Sequence, residues 1–139
     1  MKYSKVLSVV MVIESSKSPE SPVVQDSENV DYVSVGAADG LSKGVVLGED
    51  DGTPNFSMRR FVLEAGEEVP RHTNEVEHVQ YVLEGGYVVG IDDEETVVDE
   101  GDGVYVPPGE VHWYRNETEE DCAFICVVPN GDDTIEVVE

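Results

Sequence analysis

The stretch GDGVYVPPGEVHWYRN, residues 101–116, decides the fold. Two β-prone runs, 103–106 and 111–115, flank a turn made of Pro107, Pro108 and Gly109. Proline fixes φ near −65°, and glycine accepts the positive φ that a tight corner requires. The turn is therefore rigid, and His112 leaves it in a set direction. A side chain set in advance suits a binding site, because less ordering is needed when a ligand arrives. Side chains alternate along a strand, so Tyr114 shares a face with His112.

Outward from this stretch, short β-rich runs recur between turn signals. They fall at about 30–35, 44–48, 56–64, 78–84, 86–91, 95–99, 103–106, 111–115, 121–128 and 134–138. Gly40 to Gly44, Asp50 to Gly52, Gly85 with Gly86 and Gly101 to Gly103 are among the breakers. Many short strands at close spacing indicate an all-β sandwich or barrel. No segment keeps a helical period over three turns. Residues 1–29 stand apart, with 1–13 apolar and extended in character and 14–29 rich in Ser and Pro. The chain divides into an N-terminal strand and polar arm, 1–29, and a domain, 30–139. Lys2 and Lys5 before the apolar run 6–13 imitate a short signal peptide. The run is at the low limit of length and no small-residue cleavage site follows, so a strand or loose extension is the preferred reading. No apolar run approaches the ~18 residues that span a bilayer.

Charge narrows the partners. Thirty-one Asp and Glu face eight Lys and Arg, a net charge of −23 over 139 residues. Nucleic acid and anionic membranes need a basic face, so neither is expected. The acids are spread along the whole chain rather than gathered in one tail. That distribution fits a halophilic protein of a salty cytosol, where the Debye length falls to ~3 Å at 1 M salt. The cysteines, Cys122 and Cys126, lie four residues apart on one predicted strand. Their Cα atoms would then be about 13 Å apart, beyond the ~7 Å limit for a disulfide. Two free thiols fit a reducing cytoplasm.

The chain has three histidines, His72, His78 and His112. Neutral imidazole is a common ligand for divalent transition metals. One histidine alone is as readily a surface or core residue, and the H-x5-H spacing of His72 and His78 is no signature. A family resemblance adds what spacing does not. GEEVPRHTNEVEHVQYVLEG, residues 66–85, resembles the first cupin motif. Residues 101–116 match the second at Gly101, Pro107, Gly109, His112 and Asn116. GEDDGTPNFSMR, residues 48–59, and FICVVP, residues 124–129, resemble a subgroup of small single-domain cupins with a four-histidine site.

The resemblance implies a cupin-type jelly-roll β-barrel. It implies one divalent transition metal, Mn, Fe, Cu, Ni or Zn, held by His72, His78 and His112. Asn74 stands where the subgroup has its second histidine, so the implied ligand set includes Asn74. His78 stands at the glutamate position of the general motif, and Val76 replaces the subgroup's Trp. The resemblance also places the strands carrying Arg59, Phe124 and Cys126 around the metal. If Cys126 faces inward, so do Cys122, Phe124 and Val128. Arg59, Tyr114 and Cys126 are the candidate catalytic residues. A buried Arg needs an anionic partner such as a substrate. Tyr114 can donate a hydrogen bond, and a thiol near a metal is oxidisable. Phe124 and Val128 read as core, and Glu75 and Glu77 as acidic surface.

Three neutral histidines leave open coordination positions, as in a catalytic site. The expected function is a metal-dependent oxidoreductase of dioxygenase type acting on a small molecule. A non-enzymatic metal-dependent binding cupin and an isomerase or lyase are the alternatives. The expected assembly is a homodimer in which the apolar N-terminal residues pack on the partner or a sheet edge.

Overall fold

The expected two-layer β architecture is observed in a computed structural model that describes residues 21–131 and 133–138. Of the N-terminal strand and polar arm, 1–29, residues 1–20 lie outside the described residues. The strands are β1 (Tyr32–Ser34), β2 (Leu41–Leu47), β3 (Phe56–Leu63), β4 (Glu68–Asn74), β5 (His78–Glu84) and β6 (Tyr87–Ile91). They continue with β7 (Glu94–Val98), β8 (Gly103–Val106), β9 (His112–Arg115), β10 (Cys122–Pro129) and β11 (Ile135–Val137). One sheet runs β1-β2-β3-β10-β5-β8 and the other β11-β4-β9-β6-β7. Every pairing is antiparallel. This is the jelly roll expected from the sequence. Among the described residues no helix is long and apolar enough to cross a membrane.

Ten of these strands fall on the ten predicted runs. The strand not anticipated is β4, which carries His72 and Asn74. Its register shifts between Val69 and His72, so the buried positions pass from Val69 to His72 and Asn74. Pro70 sits in that shift, and such an irregularity breaks the period-2 pattern by which a strand is read. β2 also starts inside the segment taken as a breaker, at Leu41.

The inner faces alternate as parity requires. Arg59 and Leu63 on β3, His78, Gln80 and Val82 on β5, and Cys122, Phe124, Cys126 and Val128 on β10 are all buried. Leu63, Val82, Tyr87, Val89 and Val98 belong to one apolar cluster. Phe124 lies against Tyr87 and Tyr114, each with ring centroids 5.4 Å away. These rings join the apolar core to the polar cavity above it. Both cysteines are free and buried, as expected.

Two details fix the frame around His112. Gly90 on β6 lies beneath Trp113, and any Cβ there would overlap the indole. Asn116, the last residue of the second motif, is 1% exposed. Its Nδ2 donates to the carbonyls of Leu63 and Glu120 at 3.0 and 2.8 Å, and its Oδ1 accepts from the backbone N–H and hydroxyl of Thr118. Asn116 therefore ties the end of β9 to β3.

Candidate functional site

Facing strands bring the histidines into one cavity. His72 on β4 and His112 on β9 are direct cross-strand partners, with ring centroids 4.1 Å apart. His78 opens β5 on the opposite sheet, its ring centroid 6.2 Å from that of His112. All three are buried. The cavity has a volume of about 70 Å³. Its walls include Arg59, Asn74 and Tyr114 as well as the three histidines.

Two imidazoles are held in one tautomer. His72 Nδ1–H donates to the Pro70 carbonyl at 2.7 Å, and His112 Nδ1–H donates to the Glu110 carbonyl at 2.9 Å. Each acceptor lies two residues upstream, so the local backbone sets the ring. With the proton on Nδ1, Nε2 keeps its lone pair. His112 Nε2 is buried with no partner, and so is Asn74 Oδ1. Burial lowers the pKa of His112 to about 4, with His72 adding to the effect. Burial also lowers that of His72. Both rings are therefore neutral near pH 7, the state a metal requires.

His78 is different. Its Nε2 lies 3.2 Å from Asp133 Oδ1 and its Nδ1 3.3 Å from Cys126 Sγ. Burial opposes charge on this ring, but the contacts with Asp133 and Cys126 outweigh it and raise the pKa to about 9. Both nitrogens are thus engaged. Among the described residues no group of three His, Cys, Asp or Glu stands in coordinating arrangement as the side chains lie. The partnerless Nε2 of His112 and Oδ1 of Asn74 still fit a divalent transition metal, since they leave buried donors facing a shared cavity.

The other candidates surround this pair. Tyr114 Oη accepts a hydrogen bond from Gln80 Nε2 at 2.7 Å. Burial pushes its phenol well above the ordinary range, so it stays protonated. Arg59 Nη1 pairs with Asp133 Oδ2 at 2.9 Å, and its Nη2 reaches Cys126 Sγ at 3.5 Å. Cys126 is fully buried and is not among the cavity walls. Its sulfur backs Arg59 and His78. Burial disfavours the thiolate, yet His78 and Arg59 together lower its pKa. Glu75 and Glu77 are exposed, as expected.

Lys43, Gln80 and Asp133 were not anticipated. Gln80 could have been found by parity, two residues after His78. Lys43 lies in the segment taken as a breaker. Asp133 carried no signal, since it is one acid in an acidic chain.

The sequence profile of the cupin domain family matches residues 59–128. No protein of curated function matches the sequence. The polyketide cyclase RemF from Streptomyces resistomycificus has a similar structure, with TM-score 0.79 and 24% identity, over 86% of this chain and 87% of that one. A cupin 2 domain-containing protein from Halorhodospira halophila is similar at TM-score 0.66 and 25% identity, covering 72% and 71%. A predicted oxalate decarboxylase from Thermotoga maritima is similar at TM-score 0.66 and 21% identity, covering 77% and 98%.

Proposed function

The chain belongs to the cupin domain family, and from that premise we propose that it is a metal-dependent oxidoreductase of the dioxygenase type, acting on a small molecule in the cavity between the sheets. One observation carries this reading. His72 and His112 both donate Nδ1–H to the backbone, and His112 Nε2 is buried without a partner. A divalent transition metal, Mn, Fe, Cu, Ni or Zn, would be held by His72 and His112, with His78 and Asn74 completing the set. Such a metal supplies Lewis acidity and, if redox-active, electron transfer with dioxygen.

The chain's own groups would position the substrate. Tyr114 Oη accepts the hydrogen bond from the Gln80 amide, so its own hydroxyl hydrogen is free for a ligand. Gln80 Oε1 and Asn74 Oδ1 are buried acceptors without partners. Phe61 and Phe124 form an apolar wall, which excludes water and strengthens each polar contact. The Arg59 guanidinium supplies positive charge beside His78.

Turnover of a panel of small molecules by metal-loaded protein, in air and under argon, tests the proposal. Oxygen-dependent turnover that is lost in His112→Ala is expected. Equal turnover under argon would favour an isomerase or lyase instead. That second reading is supported by the similarity to a polyketide cyclase structure. A metal-loaded protein that binds but converts nothing would leave the non-enzymatic alternative.

A further inference from the structure

Positive charge is scarce in this chain, yet it gathers in the cavity. Two of the eight Lys and Arg, Lys43 and Arg59, stand among its walls. Of the 31 Asp and Glu, Asp133 is the one carboxylate found there among the described residues. Arg59 is 7% exposed. Its Nη1 holds Asp133 Oδ2 at 2.9 Å, while its Nε has no partner. Among the described residues Lys43 forms no ion pair. A buried guanidinium requires an anion, because an unpaired buried charge is strongly destabilising. The anion here comes from a short connection at the rim. Asp133 precedes β11, a three-residue strand on the edge of its sheet that pairs with β4 through Ile135, Glu136 and Val137.

We propose that Arg59 and Lys43 form a carboxylate-binding subsite, and that Asp133 occupies it when no ligand is bound, so that the ligand is a small carboxylic acid that takes the place of Asp133. This rests on the cavity being the binding site proposed above. It does not rest on the metal. Arg is suited to the task because its planar fork matches a carboxylate. Its Nη1 already holds one, and its Nε has a further N–H without a partner. Asp133 is itself one of the cavity walls, so a ligand carboxylate paired with Arg59 takes the position that the Asp133 carboxylate holds. Exchange of one carboxylate for another keeps Arg59 paired throughout.

The test uses the full chain, freed of metal by chelation, with malonate as the probe and malonamide as the uncharged control. Binding is followed by calorimetry and by the NMR shift of the Arg59 Nε–H. Asp133→Asn keeps the shape and removes the internal competitor, so malonate should bind at least tenfold more tightly. Lys43→Gln, at a half-buried position, should weaken it at least threefold. Malonamide should not bind. Unchanged or weaker binding in folded Asp133→Asn, or equal binding of malonamide, overturns the proposal. If Asp133→Asn does not fold, Lys43→Gln decides alone, and unchanged affinity overturns it. Metal content measured separately keeps the two readings apart. Malonate binding without metal binding sinks the metal reading only, and metal binding without malonate binding sinks this one only.

Discussion

The Asp133 carboxylate lies 3.2 Å from His78 Nε2 and so occupies the ring nitrogen that a metal would need. The same contact holds a proton on His78, whose pKa is raised to about 9. His72 and His112 shift the other way. One cavity thus contains one cationic and two neutral imidazoles.

Histidine NMR of the metal-free protein should resolve this directly. At pH 7, His72 and His112 should be neutral with the proton on Nδ1, and His78 should be doubly protonated. Stability follows by linkage. His78 has a raised pKa, so its contribution is complete below 6.5 and is lost as pH rises through about 9. His112 has a lowered pKa, so its contribution is complete above 6.5 and is lost as pH falls through about 4. Urea midpoints of the metal-free protein in molar KCl should therefore peak near pH 6.5. A midpoint rising steadily from pH 5 to 9 would contradict the His78 assignment.

Asp133→Asn should tighten metal binding. A metal must displace the His78 proton, and a pKa near 9 makes that cost about a hundredfold in affinity at pH 7. Removing the carboxylate that holds the proton should recover roughly tenfold of it. Competition with a chromophoric chelator measures the change. Weaker binding in the variant would mean that Asp133 is itself a ligand.

Asn74→His tests the position where this chain departs from the four-histidine subgroup. Asn74 Oδ1 is buried and has no partner, and Asn74 shares the inner face of β4 with His72. Imidazole is the better ligand for a borderline ion. Affinity should rise by roughly tenfold or more, while oxygen-dependent turnover slows as a coordination position is filled. His112→Ala should remove most bound metal. Equal metal content in His112→Ala, read by elemental analysis, would remove the site altogether.

Salt should stabilise the fold. A charge of −23 repels itself in the compact state, and molar salt screens that repulsion. Thermal midpoints should rise from dilute buffer to molar KCl by several degrees or more. A flat or falling midpoint would remove the halophilic reading.

The outer face of the six-stranded sheet carries an apolar row unusual for so acidic a chain. Met58, Val127, Val79 and Tyr105 are successive cross-strand neighbours on β3, β10, β5 and β8. Met58, Val79 and Tyr105 are 38%, 48% and 55% exposed. A homodimer is expected from the sequence, and we propose that a second copy of the chain packs on this apolar row. Val79→Lys should convert a dimer to a monomer in sedimentation velocity. Removing residues 1–28 tests the N-terminal segment separately. A truncated dimer of undiminished stability would relieve that segment of any part in the interface.

Much of this was legible before folding. Alternation placed Tyr114 beside His112 and put Cys122, Phe124, Cys126 and Val128 on one inner face, because those positions depend only on strand period. Gly85 and Gly101 in the predicted breakers and Gly109 in the predicted turn all have positive φ, because that preference belongs to the residue itself. At Gly85 the demand is also steric, since a Cβ would lie 3.1 Å from the Asp121 carbonyl oxygen. Strand β4 escaped because its irregular register around Pro70 breaks the alternation that reveals strands.

The charge and the ten strand positions were legible from composition and local preferences, Tyr114 from its parity with His112, and the candidates His72, Asn74, His78, His112 and Arg59 from the resemblance to the cupin motifs. Tertiary structure decided which of their atoms are free. His78 and Asp133 are 55 residues apart in the chain, and Arg59 reaches Asp133 only because the edge strand β11 brings its loop to the cavity mouth. No local rule encodes such a meeting. Hydrogen bonding and desolvation depend on atoms that only the closed barrel brings within 3–4 Å, and so they chose two neutral histidines, one charged one and an arginine already holding a carboxylate.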